Sequence, residues 1–283
     1  MSTSELISRD ALVGMRVGIS VSDSGDLPRL GLSTAHAEIA VGEIARAVLI
    51  AGGSLVYGGR IKPSGFTQYL MHEVRRYGRD RDVLTLCLAA PEHRKLSRDE
   101  LDATDRELGT KGRVVCLDED GSEVEDILRS KPVEPDPLED GLAAQAYSAM
   151  RTFMGTITDA RVLLGGSLAD FAGRMPGIIE EAVVAVEARQ RLLVSAGFGG
   201  AAALVARELQ IDGLRWAPRD FPRQPADERI DHALELLGET ATALDWDPTS
   251  AGLDQEELRR LSASHRAGEI ASLVVAGLSR ASS

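Results

Sequence analysis

Short apolar runs alternate with longer helical patterns along most of this chain, and this alternation constrains its fold more than any other feature. The runs SLVY, DVLTLCLAA, RVVCL, RVLLGG and RLLVSAG are continuously apolar, which is typical of strands covered on both faces. A segment with apolar residues at helical spacing lies between successive runs. The alternation predicts right-handed crossovers and an α/β fold with a doubly wound, mostly parallel sheet and helices on both faces.

Helix boundaries are marked by capping and stop signals. The first helical pattern covers residues 33–51 and stops at Gly52 and Gly53. Its proposed apolar stripe consists of Ile39, Ile44, Ala47 and Val48. The sequence SRDE at 97–100 has the spacing of a capping box, so a helix is expected to begin there. Two extra C-terminal helical patterns, at about 227–241 and 254–279, have acidic faces and are expected to pack on the flank of the sheet or on a second subunit.

One sheet-containing domain is predicted to cover residues 14–210. The segment KPVEPDPLED at 131–140 is rich in proline and acidic residues, and we interpret it as a surface crossover because the strand and helix pattern resumes beyond it. Residues 211–283 are predicted to form a helical extension that packs on the same domain or on a dimer partner.

Composition and charge disfavour several classes of protein. The net charge is −12, from 32 Lys and Arg against 44 Asp and Glu, and only 4% of residues are aromatic, so binding to nucleic acid is not expected. No apolar run approaches the ~18 residues that a membrane span requires, and the N-terminus lacks a targeting pattern. A cytoplasmic protein with no membrane contact is therefore expected.

Neither the cysteines nor the histidines have the spacing of a metal site. Cys87 and Cys116 lie in apolar runs that predict buried strands, which favours structural thiols over ligands or a disulfide. The histidines are scattered without an i, i+4 pair or a cysteine partner. No metal and no bound cofactor are expected.

Glycine-rich turns follow several of the predicted strands, at 57–67 (YGGRIKPSGFT), 163–167 (LLGGS) and 195–200 (SAGFGG). In a parallel sheet these turns lie on one edge, together with the loop SVSDSGD after the first strand, and their backbone N–H groups suit a phosphate or nucleotide. The alternative is that tight turns need glycine even where nothing binds. The predicted ligand-binding residues are Ser20, Ser22, Asp23, Ser24, Gly58, Gly59, Arg60, Gly65, Phe66, Thr67, Gly165, Gly166, Ser167, Met175, Pro176, Gly177, Gly197, Phe198, Gly199 and Gly200.

Charged residues next to these turns have two possible roles. Arg60 and Arg174 either clamp a phosphate or are simply solvated. Glu180 and Glu181 begin a predicted helix, where they either complement its dipole or contact a sugar. The chain has no G-x-S-x-G elbow, no Walker lysine motif and no G-x-G-x-x-G after its first strand, which disfavours the enzyme classes that use these motifs.

Taken in order, YGGR with GFT, LLGG with GRMPGIIEEA, and SAGFGGAA resemble the SLOG superfamily, named for the Smf/DprA and LOG proteins. The segment SDSGDLPRLGLSTAH followed by YGGR is most similar to members found beside bacterial anti-phage and conflict systems. The resemblance covers about residues 14–205. It implies a Rossmann-like sheet that binds a nucleotide or nucleotide-derived molecule over the turns.

The resemblance implies two possible functions, a sensor and a hydrolase, and a third possible function is independent of the resemblance. Conflict-associated members sense ADP-ribose-derived signals, which here implies a separate effector protein. LOG-type members use a PGG-x-GT-x-x-E motif and an arginine to release a base from a nucleoside monophosphate; this chain has GRMPGIIEE instead, which gives Glu180, Glu181 and Arg174 as the catalytic residues. The third is an interaction scaffold with a vestigial pocket. A homo-oligomer formed through the helical flank is also expected.

Overall fold

The structure, a computed structural model, describes residues 7–62, 64–79, 82–130, 135, 137–138, 140–211, 213–214 and 220–281. Most of the predicted crossover at 131–140 lies outside these residues. The strands within them are β1 (Arg16–Ser22), β2 (Ser54–Gly58), β3 (Leu84–Leu88), β4 (Gly112–Cys116), β5 (Ala160–Gly165) and β6 (Arg191–Ser195). The α-helices are α1 (Thr34–Ile50), α2 (Phe66–Tyr77), α3 (Ala90–His93), α4 (Arg98–Leu108), α5 (Ile127–Ser130), α6 (Asp140–Ile157), α7 (Gly177–Glu187), α8 (Gly200–Glu208), α9 (Glu228–Ala243), α10 (Gln255–Ala263) and α11 (Ala267–Arg280).

All paired strands are parallel, in the order β4-β3-β2-β1-β5-β6. The chain adds β2, β3 and β4 on one side of β1 and then returns to add β5 and β6 on the other side. The prediction of an α/β, Rossmann-like, doubly wound sheet is therefore confirmed. The strand order reverses between β1 and β5, and ligands of such sheets bind outside the carboxyl ends of the strands at that point.

Helices cover both faces of the sheet, because side chains alternate along each strand. Val17, Ile19 and Val21 of β1 belong to a buried cluster that includes side chains of α1, α2, α10 and α11. On the opposite face, Val56 and Cys87 pack with α6, while residues of β5 and β6 pack with α7, α8 and α9. Cys87 and Cys116 are buried, as their apolar runs predicted.

Ile39 does not belong to the apolar stripe in which the sequence pattern placed it. Ile39 is 54% exposed, whereas Ile44 and Val48 are fully buried. Five residues advance a helix by about 140° beyond a full turn, so Ile39 and Ile44 cannot share one face. Small side chains, among them Ala37 and Ala40, occupy the buried face instead.

The segment 254–279 forms two helices, although its apolar pattern suggested one stretch. Ser264 ends α10 with extended backbone dihedral angles, and its hydroxyl accepts the N–H of Arg266 at 3.1 Å and donates to Glu269 at 3.0 Å. These bonds hold the chain in a turn between α10 and α11. Both helices pack on this chain: α11 lies against α1, and α10 lies against β6.

The predicted start of α4 is confirmed. The Ser97 hydroxyl accepts the N–H of Glu100 at 3.2 Å, and the Glu100 carboxylate accepts the N–H of Ser97 at 2.7 Å. Among the helices in the described ranges, none combines the length and the apolar character needed to cross a membrane.

Candidate functional site

A cavity of about 600 Å³ opens at the carboxyl ends of β1, β2 and β5. Its wall is formed by the loop after β1, the glycine-rich turn between β2 and α2, the loop between β5 and α7, and side chains of α6. The cavity therefore lies at the point where the strand order reverses.

The structure brings some predicted site residues together around this cavity and leaves others outside it. Those in the wall are Ser22, Asp23, Gly58, Gly59, Arg60, Gly65, Phe66, Thr67, Ser167, Gly177 and Glu181. Those that do not line it are Ser20, Ser24, Gly165, Gly166, Arg174, Met175, Pro176, Glu180, Gly197, Phe198, Gly199 and Gly200. Arg174 is exposed to solvent.

The first glycine-rich turn presents the start of α2 to the cavity. Thr67 donates its hydroxyl to the carbonyl oxygen of Arg60 at 2.7 Å, which closes the turn. The N-cap residue of this helix is Gly65, which offers no side-chain cap, and the first turn of the helix contains no acidic residue. The initial N–H groups of an α-helix have no partner within the helix, so the positive end of the α2 dipole faces the cavity.

A second helix start, that of α7, faces the same cavity. Gly177 and Ile178 line the wall, and no side chain caps the helix at Pro176. The guanidinium of Arg151 lies against this start: a Cβ atom on Gly177 would stand 2.6 Å from Arg151 Nη2. A side chain at this position would displace the guanidinium of Arg151 from the helix start.

The third turn is closed by the protein itself. The Asp26 carboxylate accepts the N–H of Gly200 at 2.9 Å, and the carbonyl oxygen of Gly166 accepts the N–H of Ala201 at 3.0 Å. Phe198 is part of the buried core. The N–H groups of Gly200 and Ala201 at the start of α8 thus already have partners within the protein, which matches the alternative in which tight turns need glycine even where nothing binds.

We expect Gly200→Ala to lower the free energy of unfolding by about 1–3 kcal/mol, because alanine is strained at a left-handed φ. Gly200 has φ +61, and a Cβ atom there would lie 2.1 Å from the carbonyl oxygen of Gly166. Urea denaturation measures the change. Gly268→Ala is the matched control, since a Cβ atom at Gly268 has nothing within 4 Å. Equal stability of both variants would contradict the tight packing of this turn.

A buried ion pair lies beneath the cavity. Arg161 on β5 is 0% exposed and donates from Nη1 to Glu181 Oε2 at 2.6 Å and to Ser20 Oγ at 3.0 Å. The Ser20 hydroxyl also hydrogen bonds to Glu181 Oε2. The other oxygen, Oε1, lies 3.8 Å from Arg151 Nε. Glu181 is therefore held from below while its side chain lines the cavity, and Glu180 instead pairs with Arg151.

A second charged cluster borders the cavity near the end of β2. Arg60 Nε lies 3.3 Å from Glu92 Oε1, and the Tyr147 hydroxyl donates to the same carboxylate. Burial, aided by Glu92, raises the pKa of Tyr147 to about 12, so this hydroxyl stays protonated at neutral pH. Burial alone would lower the pKa of Arg60, but Glu92 and Tyr147 outweigh it and raise that pKa. Arg60 is thus a permanent cation.

Sequence reasoning missed several residues of the site: Lys62, Glu92, Tyr147, Arg151, Arg161 and Phe171. Arg161 could have been predicted from the sequence, because an arginine inside a strand that is covered on both faces needs a buried acidic partner. Arg151 had a weaker one, since it interrupts an apolar helical pattern between Met150 and Met154. Nothing in the sequence linked Glu92 or Tyr147 to the glycine-rich turns.

The residues described contain no group of three or more His, Cys, Asp and Glu side chains arranged to hold a metal ion.

Comparison with known proteins gave one finding that bears on function. The sequence model of the family described as SLOG cluster2 matches residues 11–268, which includes α9, α10 and the start of α11. No curated protein matched the chain.

Proposed function

Because this chain belongs to the SLOG cluster2 family, we propose that it binds a nucleotide, or a small molecule derived from NAD or ADP-ribose, in the strand-end cavity. The observation that carries this proposal is that two helix starts without side-chain caps, those of α2 and α7, face one cavity. The first N–H groups of an α-helix have no partner from a preceding helical turn, and the helix start carries the positive end of the dipole, which together favour an anion such as phosphate.

Cationic side chains supplement both helix starts. Arg60 and Lys62 lie beside α2, and Arg151 lies against α7. A guanidinium can donate two parallel hydrogen bonds to a phosphate, which adds direction as well as charge. Phosphate groups of the ligand are therefore expected at these two places in the wall.

Carboxylates of the same wall suit the sugar of such a ligand. Asp23 and Glu181 line the cavity, and Asp23 also accepts the Thr34 hydroxyl at 2.9 Å. A carboxylate accepts hydrogen bonds from ribose hydroxyls, as acidic residues of dinucleotide-binding sheets do. An overall charge of −12 repels the phosphate backbone of nucleic acid, so a small ligand accounts better for the local cations.

We further propose that the bound molecule is a signal or intermediate of a bacterial defence system, read out through a separate effector protein. The resemblance to SLOG members found beside anti-phage systems supports this role.

The first test is to incubate the purified chain with nucleoside monophosphates, NAD, ADP-ribose and cyclic ADP-ribose isomers, and to identify retained ligand and free base by mass spectrometry. The expected result is that the chain retains one of these compounds intact. If it binds none of them, the proposal is refuted.

The placement of Glu181 favours a second candidate function, the hydrolysis of a nucleotide to its base and a ribose phosphate. A carboxylate fixed by Arg161 and Ser20 at the cavity wall can stabilise the oxocarbenium-like ribose that forms as the C1′–N bond breaks. Water then adds its oxygen to C1′, and the base leaves with a proton.

The variant Glu181→Gln distinguishes the two functions. If the chain is a hydrolase, the rate of base release should fall at least about tenfold, because the charge next to C1′ is lost. If the chain is a receptor, no base is released by either protein and the ligand is recovered intact. Glu187→Gln is the matched control, since Glu187 ends the same helix and is exposed. Base release that persists unchanged in Glu181→Gln would exclude the assigned role of Glu181.

A further inference from the structure

We propose that Phe171 is the platform on which the aromatic base of the ligand stacks, so that the site selects a nucleotide that keeps its base over a base-free sugar phosphate. The inference rests on the proposed function and deepens it. Phe171 is half-buried in the loop between β5 and α7 and lines the cavity together with Asp170 and Ala172.

A guanidinium supports the ring of Phe171. The Arg229 Cζ atom lies 4.2 Å from the centre of this ring, which is cation–π geometry. Asp227 fixes Arg229 through hydrogen bonds of 3.0 Å to Nε and 2.6 Å to Nη2. Arg229 thus holds the ring and occupies one of its faces from the side of α9. Phe171 also packs against the buried cluster formed by residues of β5, β6, α7 and α8. The part of its side chain that lines the cavity is suited to a planar base.

The loop that carries Phe171 is anchored where it leaves the sheet. The N–H of Ser167 donates to the Ser22 hydroxyl at 3.1 Å, and the Ser167 hydroxyl accepts the N–H of Ala169 at 3.2 Å. The first bond ties the loop to Ser22 at the end of β1, and the second lies within the loop. The loop is thus anchored at β1 through Ser167, while Arg229 of α9 contacts the ring of Phe171 itself.

Other aromatic side chains of the wall are already engaged or lie at the phosphate end. Tyr57 is buried, and Tyr147 donates its hydroxyl to Glu92 while the Arg151 guanidinium lies 5.7 Å from the centre of its ring. Phe66 is the first residue of α2, where a phosphate is expected. Phe171 lies in the loop after β5, whereas α2 follows β2, and β1 separates these two strands in the sheet.

Isothermal titration of the full chain with AMP, ADP-ribose and base-free ribose 5-phosphate tests the inference. In wild type, AMP or ADP-ribose should bind more tightly than ribose 5-phosphate. Phe171→Ala should weaken the binding of base-bearing ligands by about 5- to 150-fold, the range expected for one base stacked on an aromatic ring. Its affinity for ribose 5-phosphate should stay within about twofold of the wild-type value.

Two further variants separate stacking from folding. Phe171→Leu keeps apolar volume but loses the ring, so it should behave like Phe171→Ala, while Phe171→Trp should retain base binding and show tryptophan quenching when AMP is added. Phe153→Leu is the control, because Phe153 is a half-buried aromatic residue of α6 outside the wall. Thermal unfolding checks that all variants are folded.

The outcomes for the inference and for the proposed function are distinct. If wild type binds AMP and Phe171→Leu binds it equally well, the base platform is refuted while nucleotide binding stands. If ribose 5-phosphate binds as tightly as AMP and ADP-ribose, the platform is likewise refuted. If wild type binds none of the compounds tested under Proposed function, both proposals fail together.

Discussion

Replacing Arg161 by methionine is expected to lower the free energy of unfolding by about 3–5 kcal/mol, the cost typical of removing one partner of a buried ion pair. Arg161 is 0% exposed, and it donates to both Glu181 and Ser20. Methionine fills much of the same space, so the loss arises mainly from a largely buried carboxylate that loses its nearer cation. Urea denaturation followed by circular dichroism measures the change.

A control and a double variant make the cause of this loss testable. Arg113→Met changes the same residue type on β4, where the side chain is exposed, and should alter stability by no more than about 0.5 kcal/mol. The double variant Arg161→Met with Glu181→Gln removes the charge that was left unpaired, and it should cost clearly less than the two single changes added together. Strict additivity would contradict the pairing described above.

The double variant Arg60→Ala with Arg151→Ala is expected to weaken nucleotide binding by about 3–6 kcal/mol, or roughly 10²- to 10⁴-fold, because each arginine should contribute the ~1.5–3 kcal/mol of a charged hydrogen bond. Arg60 and Arg151 lie next to the two uncapped helix starts that face the cavity. Isothermal titration with the ligand identified by mass spectrometry measures the loss of affinity. Titration of each single variant gives the loss that is due to each arginine.

Arg174→Ala is the matched control for this experiment. Arg174 follows a glycine-rich turn just as Arg60 does, but its side chain is exposed and does not line the cavity. We expect its affinity to stay within about twofold of wild type. The arginine pair would be rejected as the phosphate clamp if Arg174→Ala lost as much affinity as the double variant. Because Arg60 and Arg151 also pair with Glu92 and Glu180, thermal unfolding must show that both arginine variants are folded.

The third glycine-rich turn, at 195–200, shows that a sequence motif does not by itself establish a binding role. The sequence SAGFGG has the composition of an anion-binding loop, and it does join a strand to a helix as predicted. Asp26, which is distant in sequence, satisfies the N–H of Gly200 in advance. A local pattern cannot reveal such a partner, because the competing hydrogen bond comes from another part of the fold.

The sequence by itself determined the order of strands and helices, the doubly wound parallel sheet and the edge on which the glycine-rich turns lie. These features follow from local apolar periodicity and from the handedness of βαβ units, which need no knowledge of distant contacts. Only the tertiary structure decided which charges meet at that edge. Arg151 and Glu92 reach the cavity from α6 and α3, and Arg161 of β5 meets Glu181 of α7, because the packing of helices on the sheet sets such pairings between different elements.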